Sequence, residues 1–204
     1  MRNRIINEYN GLNLLEKLYI VIRWRLCPFE LIEEHVPKEG FIVDIGCGCG
    51  LLPNTLHLLS TDRKILGIDL SNVRLAVAKK SEKEHVKFER KDVKELELQS
   101  CDAIVMSDFL HHISYELQES VIKEAATKLK QEGKLIILDL DKKPYWKFLV
   151  GKYIDKIMAI NEKTYYRDRR GFKEMLERNG LSVNTLDADL NLPLSDVLFV
   201  CAKK

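Results

Sequence analysis

Apolar side chains nowhere continue for the roughly 18 positions that a helix needs to cross a bilayer, so the 204 residues offer no spanning segment. A charge bias is missing too. Thirty-three Lys and Arg stand against 31 Asp and Glu, a net charge of +2, and nothing marks a dedicated polyanion binder, so no DNA partner is expected. Paired cysteine motifs are absent: Cys27, Cys47, Cys49, Cys101 and Cys201 are odd in number and lie mostly in apolar runs or beside glycine. That fits reduced thiols in a cytoplasmic protein. The N-terminal stretch MRNRIINEYNGLNLLEKLYIVIRWRLCPF mixes basic and apolar residues. Glu8, Glu16, Lys17 and Arg23 interrupt it and no small-residue cleavage site follows, so it does not read as a signal peptide. Repeats and low-complexity linkers are also lacking, and the length suits one domain with a full core.

What is present is an alternation. Short, mainly apolar runs at FIVDI (41–45), KILGID (64–69), VKFER (86–90), CDAIVMSD (101–108) and KLIILDL (134–140) are separated by helical patterns. Those patterns are GLLPNTLHLLS (50–60), SNVRLAVAKKSEKE (71–84) with Ser71 as N-cap, and ISYELQESVIKEAATKLKQ (113–131) closed by Gly133. Continuously apolar strands between helices predict a parallel sheet covered on both faces, a doubly wound α/β fold. After it come two aromatic clusters, a helix at 171–180, and two strand-like runs joined by the turn-rich NLPLS, which predict an antiparallel hairpin at one sheet edge. The first forty residues predict one or two helices broken at Pro28 and Pro37.

The stretch DIGCGCG, directly after the first strand, is the main functional signal. A Walker-type phosphate loop needs Lys-Ser or Lys-Thr after its last glycine, and none follows. A dinucleotide fingerprint needs glycine at position 51, which is Leu. Cys47 and Cys49 lack the second pair that a zinc site requires, so no metal is expected. What remains is an aspartate followed by three alternating glycines, which permit a sharp turn and close approach of a ligand to the backbone. A ligand carrying an ammonium and a sulfonium suits that arrangement better than a pyrophosphate does.

VDIGCGCG resembles the first motif of the class I, Rossmann-like S-adenosylmethionine-dependent methyltransferases. The resemblance continues in order through GIDLS, KDVKEL, SDFLHHI (107–113) and LKQEGKLIILDL (129–140). It implies a single domain with a seven-stranded sheet in the order 3-2-1-4-5-7-6, the last strand antiparallel. Residues 1–40 would form a helical N-terminal cap, 41–140 the donor-binding core, 141–170 an aromatic and basic insertion or lid, and 171–204 the last helix and closing hairpin. It further implies S-adenosyl-L-methionine as methyl donor. Asp44, Gly46, Cys47, Gly48 and Gly50 would contact it, Asp44 orienting the loop and reaching the methionine amino group. Asp69 would grip the ribose hydroxyls and Asp92 would meet the adenine amino group, with Leu70, Val93 and Ser107 also contacting the donor.

At that exit Asp108, His111 and His112 are candidates for orienting the acceptor or taking its proton. In the family a histidine at the position of His112 often ties the loop to the sheet instead. The Asn/Asp-Pro-Pro-aromatic motif of base-amine and glutamine methylation is absent, as is a Pro-Cys nucleophile. The acceptor is therefore expected to be a small or lipid-like molecule, methylated on O, N or C. Residues 145–160 form a helical pattern in which Tyr145, Trp146, Phe148, Leu149, Tyr153, Ile154, Ile157 and Met158 crowd one stripe, with Lys147, Lys152 and Lys156 beside it. Such a helix packs on the sheet, closes over an apolar pocket, or lies at a membrane surface. TYYRDRR (164–170) reads as a cap facing the pocket or as solvated surface, ahead of an RNA patch. Arg23 and Arg25 reach the donor's carboxylate or remain at the surface. Monomer and homodimer are both compatible with the sequence. The rival functions are an RNA or protein methyltransferase, a non-catalytic S-adenosylmethionine sensor and, opposed by Leu51, a nicotinamide oxidoreductase.

Overall fold

The computed structural model describes residues 2–158, 163–188 and 194–204. Its centre is a seven-stranded sheet in the order β3-β2-β1-β4-β5-β7-β6. The strands are β1 (Gly40–Ile45), β2 (Arg63–Asp69), β3 (Val86–Arg90), β4 (Cys101–Ser107), β5 (Leu129–Leu140), β6 (Leu181–Asp187) and β7 (Asp196–Lys203). The first five run parallel, and β7 is antiparallel to both β5 and β6. The strand order and the closing hairpin agree with the expectation from sequence. Part of the NLPLS turn lies outside the described residues.

The apolar runs are explained by burial on both faces. On one side Val43, Ile45, Ile104, Met106, Ile137 and Phe199 pack against α6 (Tyr115–Lys128) and α8 (Arg169–Arg178). On the other, Ile42, Ala103, Val105, Ile136 and Leu138 pack against α1 (Arg2–Ile6), α2 (Leu14–Leu26), α3 (Phe29–Glu33) and α4 (Leu51–Leu59). The N-terminal cap thus holds three short helices where one or two were expected. Asn13 and Glu16 form a reciprocal capping box that starts α2, and Pro28 separates α2 from α3.

Two helix boundaries differ from the periodic pattern. The helix expected over 71–84 is α5 (Asn72–Ala78) followed by a single 3-10 turn, because the Ser81 hydroxyl donates to the Ala78 carbonyl and so ends the ladder. The helix expected to reach 131 ends at Lys128. Leu129 already pairs with Cys101, and the extra residues before Lys134 are absorbed as an irregularity in the β4–β5 ladder. Gly133 is therefore a strand residue and no helix cap.

The aromatic segment forms α7 (Tyr145–Met158); the expected extension to residue 160 lies outside the described residues. The sequence's crowded stripe is split by the fold. Phe148 packs with Leu140 and Tyr166, Ile154 is half-buried, and Tyr145, Trp146, Leu149, Tyr153 and Ile157 face outward. Gly151 permits this docking, since a Cβ there would come within 2.7 Å of Leu140.

Candidate functional site

The carboxyl ends of β1, β2 and β4 open into two adjoining cavities. The larger, about 610 Å³, is lined by Asp69, Leu70, Ser71, Val93, Phe109 and Tyr165 among others. The smaller, about 90 Å³, lies among Asp44, Gly46, Cys47, Gly48, Ser107 and the inner sides of α2 and α7. Gly46, Arg74, Asp108 and His112 line both, so the cavities meet at the exit of β4.

The glycine loop is shaped by close packing. Gly46 (φ +79°) donates to the Ile68 carbonyl at 2.8 Å, and a Cβ on it would stand 2.4 Å from the Phe109 ring. Gly50 has the same kind of constraint: its Cβ would lie 2.6 Å from Phe88, and it opens α4 without lining either cavity. Gly48 differs, because a Cβ there would have nothing nearer than Arg74 at 4.0 Å. Of the three loop glycines, only Gly48 would point a Cβ into open space. Tyr9, from the N-terminal cap, braces the loop by donating to the Cys49 carbonyl at 2.8 Å. Cys47 and Cys49 are both free thiols, with the Cys49 thiol pushed up to about 11 by burial. Among the described residues no His, Cys, Asp or Glu group could hold a metal ion.

The carboxylates divide the site between them. Asp69 accepts from the Gly48 amide and the Ser71 amide, one on each oxygen, both at 2.8 Å. A carboxylate has about four acceptor positions, so it can still receive two hydroxyls. Asp44 is buried, with Oδ2 lacking any hydrogen-bond partner. Burial, reinforced by the Asp69 charge, pushes its pKa up to about 8. Asp92 accepts from the Lys94 amide at 2.9 Å and does not line the larger cavity, whereas its neighbour Val93 does.

At the exit of β4, Asp108 adopts a left-handed conformation (φ +50°) and receives Arg23 Nη2 at 2.5 Å. This ion pair links α2 to the sheet across the smaller cavity. Arg25 is exposed and takes no part. The Ser107 hydroxyl lies 3.3 Å from the Cys27 thiol. The two histidines part company. His111 is buried, with Nδ1 2.7 Å from Asp139, its backbone amide donating to the same carboxylate, and Tyr166 stacked on its ring. Burial pulls that imidazole down, but Asp139 and then Asp155 outweigh it and hold it up at about 9. His111 reaches neither cavity and ties the β4 exit to β5, a role the family resemblance had suggested for His112. His112 instead lines both cavities. Burial, then the charges of His111, Arg74 and Arg23, push it down to about 3, so it is a neutral imidazole.

Several site residues were not singled out as such from the sequence. Tyr19 and Arg74 line the smaller cavity, as does Asp155 of α7, which accepts from the Tyr166 hydroxyl at 2.8 Å. Asp155 was findable as the one acid in an otherwise basic helix. Gln118 is the hidden organiser: its amide donates to the carbonyls of Leu110, Ile113 and Tyr165, binding the β4 exit to the 163–168 segment. In that segment Tyr165 lines the larger cavity, Tyr166 is buried, and Arg167 donates to Gln118 at 2.6 Å while lying over the Tyr115 ring.

Residues 42–133 match the sequence profile of a methyltransferase domain. The chain is 28% identical over 179 residues to the ubiquinone biosynthesis O-methyltransferase of Nitrosococcus oceani, covering 77% of this chain and 73% of that protein. It is 30% identical over 140 residues to the demethylmenaquinone methyltransferase of Thermotoga maritima, covering 68% of this chain and 59% of that protein. Its fold is similar to the crystal structure of magnesium protoporphyrin IX methyltransferase from Synechocystis, with a TM-score of 0.69, 19% identity, and coverage of 100% of this chain and 93% of that one. The sheet order, the glycine loop and these likenesses converge: residues 42–133 form a methyltransferase domain, the fold is the class I, Rossmann-like one, and the protein is a methyltransferase whose methyl donor is S-adenosylmethionine.

Proposed function

We propose that this methyltransferase acts on a hydroxyl group of an apolar small molecule, with the donor held between Asp44 and Asp69 and the acceptor entering between α2 and α7. The residues present fit the donor. Asp44 offers a buried, unsatisfied carboxyl to an ammonium, Gly48 leaves room for close approach, and Asp69 retains acceptor positions for a ribose. Leu70 and Val93 supply apolar walls to the larger cavity, whose 610 Å³ lies in the range of sites for drug-sized ligands. When bound, S-adenosylmethionine supplies an electrophilic methyl on a sulfonium, so the protein's principal task is alignment of the nucleophile.

The observation that carries the acceptor reading is the position of His112. It is held neutral at the junction of the two cavities, where its imidazole can accept a hydrogen bond from an acceptor hydroxyl. Asp108, fixed by Arg23, offers a second acceptor atom from the same turn. Tyr19, Phe29, Leu52 and Ile154 give the smaller cavity apolar walls beside its charged lining of Arg23, Asp44, Arg74, Asp108 and Asp155. At 90 Å³ it holds a few waters but cannot take a methionine chain and an acceptor together. The name of one relative, an O-methyltransferase of ubiquinone biosynthesis, supports an oxygen acceptor, and that of another, a demethylmenaquinone methyltransferase, supports an apolar quinone-like ring without favouring oxygen.

The test is a panel of catechols and hydroquinones with no, short and long apolar chains, incubated with methyl-labelled donor. Rates rising with chain length, and a product stable as a methyl ether, are expected. Label on nitrogen or carbon, or a preference for the unsubstituted rings, would overturn the reading.

A further inference from the structure

The two helices that wall the smaller cavity each leave an apolar stripe uncovered. On α2 it is Leu14, Leu15, Leu18 and Ile22, with Leu14 81% exposed. These positions lie within about 100° of one another around a helix, beside the edge that carries Tyr19 and Arg23 into the cavity. On α7 the stripe is Tyr145, Leu149, Tyr153 and Ile157 at intervals of four, with Trp146 alongside, on the side away from the buried Phe148 and Gly151. Scattered exposed leucines need no explanation, but a continuous stripe on each of the two helices that wall one cavity does.

The charges around these stripes have one sign. Lys142, Lys143, Lys152 and Lys156 are exposed next to the α7 stripe, and Lys17 and Arg25 on α2. The acids of both segments are turned away or already engaged: Asp155 receives the Tyr166 hydroxyl, and Glu16 pairs with Lys80. Lys147 lies over the Trp146 ring. The chain's net charge is only +2, so this basic excess is local. Against a second copy of the same face, lysines would meet lysines. An anionic partner with an apolar interior is complementary on both counts. Among the described residues no helix is long and apolar enough to cross a membrane, so contact would be with the surface.

We propose that α2 and α7 together dock this enzyme on an anionic phospholipid bilayer, aromatic and leucine side chains entering the interface and lysines meeting the headgroups. The mouth of the acceptor cavity then faces the membrane, and an apolar acceptor passes from bilayer to site without crossing water. The inference rests on the proposed acceptor class for its purpose only; the surface is tested without turnover, so the two readings fail separately.

The experiment is cosedimentation of the full chain with phosphatidylcholine vesicles, with and without 30% phosphatidylglycerol, alongside donor binding by the same samples. Binding at least tenfold tighter to the anionic vesicles, and weakened by added salt, is expected. Lys152→Gln/Lys156→Gln should weaken it about 30-fold, taking roughly 1 kcal/mol for each lysine. Trp146→Ser/Tyr153→Ser on α7 and Leu14→Asn/Leu18→Asn on α2 should each weaken it tenfold or more. All these side chains are exposed, so melting temperature and donor affinity should stay at the parent values. Equal binding to both vesicles, or none to either, overturns the proposal. So does a vesicle-free dimer that dissociates on Leu18→Asn, which would assign the stripe to a second copy.

Discussion

Asp44 ties the donor site to pH. Its carboxyl is 2% exposed, one oxygen has no partner, and burial raises its pKa from 3.8 to about 8. Before the donor binds, about nine molecules in ten are therefore protonated there at pH 7. An ammonium held against the group favours the carboxylate, so binding at pH 7 should expel about 0.9 proton per site. Affinity should rise nearly tenfold from pH 6 to pH 7, about fivefold more by pH 8, and level off above that. Calorimetric titration with S-adenosylhomocysteine, in two buffers of different ionisation enthalpy, reads both the affinity and the proton. In Asp44→Asn the proton release should vanish, and affinity at pH 8 should fall by about 10- to 100-fold, the worth of a charge-assisted hydrogen bond. Stability moves the other way. A carboxyl whose folded pKa is raised contributes fully below about pH 4 and loses that contribution as pH rises through about 8. Asp44→Asn should therefore lose less stability than the parent across that interval. Affinity that is flat from pH 6 to pH 8, or an equal slope in Asp44→Asn, would refute the reasoning.

His112→Ala should lower kcat roughly a hundredfold while donor affinity stays within about threefold, read by single-turnover kinetics beside equilibrium binding. Gly46→Ala should abolish donor binding, since its Cβ would lie 2.4 Å from the Phe109 ring at a φ of +79°. Adding Phe109→Ala should restore binding only in part, because the left-handed backbone strain of about 1 kcal/mol or more persists. His111→Asn should destabilise the fold by about 3 kcal/mol or more by breaking a buried pair, seen in urea unfolding at pH 6.5. The folded pKa of His111 is raised to about 9, so its contribution is fully present below 6.5 and fades as pH rises through 9. The gap between parent and variant should narrow over that window.

The parts of the molecule written locally were legible in the sequence. Ile42, Val43 and Ile45 are apolar in succession because β1 is covered on both faces, and the glycines that follow announce a turn that side chains would block. The β5 boundary was not legible, because Leu129 leaves a helical pattern to pair with Cys101 across the sheet. Nor was the choice between His111 and His112. They are adjacent, and only the 3-10 turn over Leu110–His112, locked by Asp139 and Gln118, decides which ring is buried and which faces the cavities. Asp92 shows the same limit: its place after β3 suggests a ligand contact, yet its oxygen caps the following turn. Periodicity revealed an apolar stripe on α7 but could not say that most of it points outward. That depends on Phe148 and Gly151 meeting Leu140 from the other side.

The most direct measurement incubates the purified protein with methyl-labelled S-adenosylmethionine and an extract of the producing cells, then counts label in organic, aqueous and macromolecular fractions. The account predicts label in the organic phase, lost in Asp69→Ala and strongly reduced in His112→Ala. Label in RNA, protein or polar metabolites, or none in any fraction despite donor binding, would contradict it.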